Sequence, residues 1–281
     1  MKDIRLIGID IDGTLLNSAG KISNPTLAQM RRLHDLGVQL VLVTGRRYLT
    51  AADICRQLNL PLLVASNNGA SLRPLGGSTL YREELDEAAT RQVCGEARRL
   101  GGFPWAFIEV NDAGDSIIYC EEPTDADSEG YEYDYLRAYF EYWRHYMRVV
   151  SDLSAEFVGA SVEVVVTVPP NHADRLADAL RARFGGQISV IQEHSRGYSQ
   201  VDAAHPSVSK ALPLKRLAEK NNLRPENIMA VGDNLNDLEM LEYAGYPVAM
   251  GNAHPGLFEL DCRIAPTNDE DGLAHILAEI S

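Results

Sequence analysis

The sequence predicts an α/β fold in which a parallel sheet is built from both ends of the chain and a separate α+β domain is inserted between them. Three observations predict it. Strand and helix signals alternate over roughly the first 80 residues, the same alternation returns after about residue 205, and the stretch between has a different grammar of hairpins mixed with helices.

The elements follow in order. Leu6 to Ile11 is a short apolar run broken only by Asp10. Asn24-Pro25 opens a helical pattern through Leu27, Met30, Leu33 and Leu36, closed by Gly37. Val38 to Val43 is nearly all apolar, as suits a parallel strand buried on both faces. Tyr48 to Leu58 reads as a helix and Leu62 to Ala65 as the next strand. This βαβαβ order implies right-handed crossovers. In the C-terminal part, Leu212 to Lys220 is a helix, Ile228 to Val231 a strand, Leu238 to Tyr243 a helix, Pro247 to Met250 a strand and Asp271 to Ile280 a final helix.

The middle reads as helix Leu85 to Leu100, strands Phe107 to Val110 and Ile117 to Cys120, strand Val162 to Val168, helix Asn171 to Phe184, and strands Ile188 to Ile191 and Tyr198 to Val201. Asn111-Asp112-Ala113-Gly114-Asp115 is a hairpin loop between the first two strands. The expected division is therefore a discontinuous core, residues 1–82 with 205–281, and an inserted domain, 83–204.

Bulk properties exclude several classes. The 281 residues carry a formal net charge of −14, which argues against a broad nucleic-acid surface. No apolar run is long enough for a transmembrane helix, and Met1-Lys2-Asp3 leads straight into Ile4-Arg5-Leu6 without a signal-peptide layout. Cys55, Cys94, Cys120 and Cys262 are too scattered for a CxxC or zinc pattern and read as buried thiols in a reducing, cytoplasmic compartment.

Four polar clusters stand out: Asp10-Ile11-Asp12-Gly13-Thr14, Thr44-Gly45-Arg46, the stretch around Lys210, and Gly232-Asp233-Asn234-Leu235-Asn236-Asp237. Three follow predicted strands, so they should meet beyond the carboxyl edge of the sheet, with Lys210 reaching in from the start of a helix. Together they offer the carboxylates of Asp10, Asp12, Asp233 and Asp237, one amine, the Thr44 hydroxyl and the Asn236 amide. Hard oxygen donors without His or Cys suit Mg²⁺. A cation with these donors can clamp a phosphoryl group, which carboxylates alone would repel. An Asp can itself attack phosphorus, and if Gly13 turns the chain, one of Asp10 and Asp12 can attack while the other serves as acid and base.

These motifs resemble, in order and spacing, the four motifs of the haloacid dehalogenase superfamily. The fuller resemblance is to its Cof-type members with a type IIB cap. It extends to Ser66-Asn67-Asn68-Gly69-Ala70, Val208-Ser209-Lys210, Met250-Gly251-Asn252-Ala253 and Thr267-Asn268-Asp269-Glu270-Asp271-Gly272. It implies a Rossmann-like core with an inserted α/β cap that chooses the substrate. The activity it implies is a Mg²⁺-dependent phosphatase working through an aspartyl-phosphate. Asp10 would be nucleophile and metal ligand. Asp12 would be acid and base, binding the metal through its carbonyl. Asp233 would be the third ligand, with Asp237 behind it. Ile11, through its backbone, would bind the phosphoryl oxygens with Thr44, Gly45, Lys210 and Asn236. Ala211 departs from the glycine common after the third-motif lysine.

The implied partner is a small phosphorylated metabolite, a sugar phosphate first and flavin mononucleotide or pyridoxal phosphate behind it, with no nucleic acid or membrane and a monomer or homodimer. A phosphosugar mutase of the phosphomannomutase type and a non-catalytic metabolite-binding protein are the alternatives. Arg46 and Arg47 are expected to form salt bridges or touch substrate, and Asn252 and Asn268 to support loops. Leu136, Tyr139, Phe140, Trp143 and Met147 recur at helical spacing as a packed face, with Tyr131, Tyr133 or Tyr135 as candidates to line a pocket or a dimer contact. Glu121, Glu122, Asp125, Asp127 and Glu129 read as a solvated loop.

Overall fold

A computed structural model describes residues 3–111, 115–128, 135–195 and 197–281. In chain order, the elements begin with β1 (Leu6–Asp10), α1 (Asn24–Asp35), β2 (Gln39–Val43), α2 (Tyr48–Leu58), β3 (Leu63–Ser66), β4 (Ser71–Pro74) and β5 (Tyr81–Arg82). There follow α3 (Glu87–Arg99), β6 (Phe103–Glu109), β7 (Ser116–Cys120), α4 (Tyr135–Trp143), β8 (Met147–Val149), α5 (Leu153–Glu156), β9 (Glu163–Val168), α6 (Ala173–Phe184), β10 (Ser189–Ser195) and β11 (Tyr198–Ala204). The chain closes with α7 (Ala211–Asn221), β12 (Ile228–Gly232), α8 (Leu238–Tyr243), β13 (Tyr246–Ala249), β14 (Arg263–Ile264) and α9 (Gly272–Ala278). They form two compact units, Met1–Tyr81 with Ser209–Ser281, and Arg82–Val208.

In the first unit the sheet order is β14-β13-β12-β1-β2-β3-β4-β5. The pairs from β14 to β3 are parallel, and β3 pairs antiparallel with β4. β1 lies at the centre with all five residues buried, which is why its sequence is an unbroken apolar run up to Asp10. Alternate side chains feed opposite layers. Ile7 and Ile9 pack with Met30, Leu33, Cys55 and Leu277 on one face, whereas Leu6 packs with Val41, Leu214 and Leu241 on the other. Each fully buried Leu or Ile contributes ~1.5–3 kcal/mol. α1 starts where Ser23 Oγ accepts the Thr26 N–H, with Pro25 in the first turn. Leu36, read from sequence as part of the helical face, is exposed beyond its end.

The second unit has the sheet order β10-β11-β9-β6-β7-β8, antiparallel except for β7 with β8. Val93, Cys94 and Ala97 of α3 and Leu176 and Leu180 of α6 cover one face, against Ala106, Val164, Val166 and Val201. On α4 the aromatic spacing is a packing pattern. Leu136 and Phe140 are buried, Tyr139 lies 5.0 Å from Trp105, and Tyr135 stacks on Tyr198 at 3.8 Å. Met147 stands outside that helix, as the first residue of β8. Tyr131, Tyr133, Glu129 and the hairpin-loop residues Asp112, Ala113 and Gly114 lie outside the described residues. The acidic run is not wholly solvated. Arg98 donates Nε and Nη2 to Glu121 Oε2 at 2.8 and 2.6 Å and Nη1 to Asp127, so two of its members are held against α3.

Candidate active site

β1 and β12 are adjacent parallel strands whose chain connections run outward to opposite sides of the sheet. Such a switch point leaves a crevice beyond the strand ends, and Asp10 and Asp233 stand at its two lips. After Asp10 the chain turns at once, with the Leu15 N–H donating to the Asp10 carbonyl and the Leu16 N–H to that of Ile11. Gly13 permits the turn at φ +79°, and a Cβ there would meet Asp233 Oδ2 at 2.2 Å. Only glycine lets the two loops close together.

Lys210, immediately before α7, is buried between two carboxylates. Its Nζ donates to Asp10 Oδ1 at 2.6 Å and to Asp237 Oδ1 at 2.7 Å. Asp237 Oδ2 accepts the N–H groups of Asp233 and Asn234 at 2.9 and 3.0 Å, so both oxygens of this fully buried group are engaged. Asp233 Oδ1 accepts the Thr14 hydroxyl at 2.9 Å. Among the described residues Asp10 Oδ2 accepts no hydrogen bond.

One amine faces three carboxylates, and the balance shows in their proton affinities. Burial, followed by repulsion from Asp237 and Asp233, holds the Asp10 carboxyl well above the usual range, although Lys210 opposes it. Burial and Asp237 raise Asp233 to about 7. Burial alone would lower the Lys210 amine, but Asp10 and Asp237 outweigh it and raise it. Carboxylate oxygens of Asp10, Asp233 and Asp237 lie within 4.8 Å of one another, with no His or Cys among them. Excess buried negative charge on hard oxygens is the donor set that a small divalent cation such as Mg²⁺ fits.

The other expected residues are also placed. Ile11 and Thr44 are buried. Thr44 Oγ1 accepts the Arg46 N–H at 3.1 Å, and its carbonyl accepts the Asn68 N–H at 2.9 Å. Gly45 lies between them, half-buried. Asn236 Nδ2 donates to Asn68 Oδ1 at 3.2 Å. The Asp12 side chain lies outside the carboxylate group. It forms a two-bond pair with Arg46, Nε to Oδ2 and Nη2 to Oδ1, both at 2.6 Å.

Of the two expectations for Arg46 the structure shows the salt bridge, with Asp12 as its partner, while Thr14 and Asn68 stood in the sequence motifs without an assigned role. A signal existed for Asn68, since Asn-Asn-Gly is the composition of a left-handed turn. Asn67, Asn68 and Gly69 do take φ values of +50°, +52° and +91°. The loop supports are where they were expected. Asn252 Nδ2 donates to the Gly13 carbonyl, Asn252 Oδ1 accepts the Asn268 N–H, and Asn268 Nδ2 donates to the Leu16 carbonyl, each at 2.9 Å.

A crevice at the switch point, a buried carboxylate group and a lysine between two of its members define a hydrolase of the phosphoryl-transfer kind. The family model described as haloacid dehalogenase-like hydrolase matches residues 7–277, and the chain belongs to that family, with Cof-type relatives. Phosphatase YwpJ of Bacillus subtilis is 27% identical over 99% of this chain and 100% of its own. The 5-amino-6-(5-phospho-D-ribitylamino)uracil phosphatase YitU of the same organism is 28% identical over 98% of this chain and 96% of its own. A haloacid dehalogenase-like hydrolase from Bacteroides thetaiotaomicron matches with TM-score 0.75 and 25% identity, covering 98% of both chains. One from B. subtilis shares the fold with TM-score 0.78 at 24% identity, over 98% of this chain and 99% of the other. The chain is a phosphoric monoester hydrolase of this family. No helix among the described residues is long and apolar enough to cross a membrane.

Proposed function

We propose that the chain is a Mg²⁺-dependent phosphatase that hydrolyses a small phosphorylated metabolite, a sugar phosphate first, through an aspartyl-phosphate on Asp10. The observation that carries this reading is the state of Asp10. One carboxylate oxygen is fixed by Lys210, and the other accepts no hydrogen bond among the described residues. That is the arrangement of an oriented nucleophile.

In this reading Asp10 and Asp233, with the Asp12 carbonyl and Asp237 behind them, would hold Mg²⁺. The bound ion supplies positive charge against the phosphoryl oxygens. Lys210, Thr44, Gly45, Asn236 and the Ile11 backbone bind those oxygens. Asp10 Oδ2 attacks phosphorus and the P–O bond to the alcohol breaks. Asp12 gives its proton to the departing oxygen, then takes one from the water that attacks the aspartyl-phosphate and frees inorganic phosphate. To reach the departing oxygen, Asp12 must first leave its two-bond pair with Arg46. Residues 83–204 would act as the cap that selects the leaving group. Four free thiols, three of them buried, suit a cytoplasmic location.

The test is a panel of phosphorylated metabolites, hexose and pentose phosphates and phosphorylated ribitylaminouracil among them, assayed for phosphate release with and without Mg²⁺. Release that needs Mg²⁺ and favours sugar or polyol phosphates supports the reading. Absence of turnover across the panel overturns it.

A further inference from the structure

We propose that the turn Asn67-Asn68-Gly69 is the element that sets the spacing of the phosphate-binding groups, and that Asn68 is a positioning residue acting through Asn236. The inference rests on the phosphatase reading above and adds a residue to it.

Three consecutive residues in the left-handed region are costly when two of them carry a Cβ, and such strain persists only where the surroundings fix it. Here the surroundings are three loops of the site. The Asn68 N–H donates to the carbonyl of Thr44 at 2.9 Å and the Asn67 N–H to that of Arg46 at 3.0 Å. Gly69 is pressed against the residue before Lys210, since a Cβ on it would lie 2.4 Å from the Ser209 carbonyl oxygen. The Asn68 side chain accepts from Asn236 Nδ2. One buried turn therefore touches the loops that carry Thr44, Lys210 and Asn236, which come from distant parts of the chain.

The Asn236 amide gives the second observation. Its Oδ1 is buried and has no hydrogen-bond partner among the described residues. Such an orphan is costly, and among the described residues the hydrogen bond to Asn68 is what holds the rotation of this side chain. Accepting from Nδ2, Asn68 fixes which edge of the amide carries donors and leaves the second Nδ2 hydrogen for a phosphoryl oxygen. An amide free to turn could present its carbonyl oxygen to an anion and would bind it less well.

The experiment compares Asn68→Gly, Asn68→Asp, Asn236→Ala and the Asn68→Gly/Asn236→Ala double variant in the full chain with Mg²⁺. The readouts are the inhibition constant of inorganic phosphate, KM and kcat on a monoester the wild type hydrolyses, and Tm. Glycine keeps the left-handed backbone and removes only the side chain. Asn68→Gly is expected to raise the phosphate inhibition constant and KM about tenfold, with kcat within about twofold and Tm unchanged or higher. Asn68→Asp keeps an acceptor for Asn236 but adds a negative charge, and is expected to weaken phosphate binding by about 10–100-fold. The double variant should match Asn236→Ala alone, because the two side chains act as one unit. Wild-type phosphate affinity in both Asn68 variants, or a double variant whose losses simply add, overturns the proposal. A lowered Tm with unchanged inhibition constant and KM overturns it too, as the sign of a merely structural role. A wild-type protein that neither hydrolyses a monoester nor is inhibited by phosphate would instead overturn the phosphatase reading itself.

Discussion

Lys210 Nζ and Asp10 Oδ1 lie 2.6 Å apart in the buried centre of the site, although 200 residues separate them in the chain. The contact joins the end of the central strand to the start of α7, and Asp237 completes it from the loop after β12. The same ammonium orients the Asp10 carboxylate and offsets part of the charge that, in the proposed mechanism, a phosphate must approach.

Lys210→Met should therefore be costly twice over. It leaves two buried carboxylates without a counter-charge, a loss of ~3–5 kcal/mol. Urea unfolding of the metal-free variant measures it, and saturating Mg²⁺ should restore part of the loss. On the proposed mechanism turnover should fall by about 100-fold or more, because a donor to the transferring group would be gone.

Asp233 makes the metal-free protein pH-sensitive. Its carboxyl is raised from the ordinary 3.8 to about 7 by burial and by Asp237. The folded state thus keeps a proton that the unfolded chain releases. This contribution is full below the unfolded value and is lost as pH rises from there through about 7, by ~4 kcal/mol. Denaturation midpoints without metal should decline over that window. Asp233→Asn should flatten the decline and abolish stabilisation by Mg²⁺.

Gly13→Ala tests how closely the two lips of the crevice must approach. The added methyl meets Asp233 Oδ2 at 2.2 Å and forces alanine into a left-handed conformation. The expected cost is ~1–3 kcal/mol in stability together with a weakened response of Tm to Mg²⁺. A variant with wild-type Mg²⁺ response would show that the contact does not matter.

Much of this was legible in the sequence because the determinants are local. Apolar runs gave the central strands, and Asn24-Pro25 with Gly37 bounded α1. Carboxylates after β1 and β12 converge because the parallel topology brings those strand ends together. What was not legible depends on distant partners. Nothing near Asp12 says that its side chain pairs with Arg46, and nothing near Glu121 or Asp127 announces Arg98. β4, β8 and β14 are two to four residues long and owe their existence to a neighbouring strand rather than to periodicity.

Thiol reactivity offers a check on the packing. Burial pushes the Cys55 and Cys120 thiols up to about 12 and Cys94 higher still. In a native sample at pH 8 these three should resist alkylation, with half-buried Cys262 reacting first. All four should react in denaturant. Rapid native labelling of Cys94 would contradict the packing of α3.

The central claim is the covalent step on Asp10. Acid quenching during turnover of a ³²P-labelled monoester, followed by peptide mapping, tests it directly. The expected result is a hydroxylamine-labile phosphoryl group on Asp10, absent from Asp10→Asn, whose turnover should fall by about 10³-fold or more. No labelled Asp10 peptide, with Asp10→Asn turning over at the wild-type rate, would contradict the account.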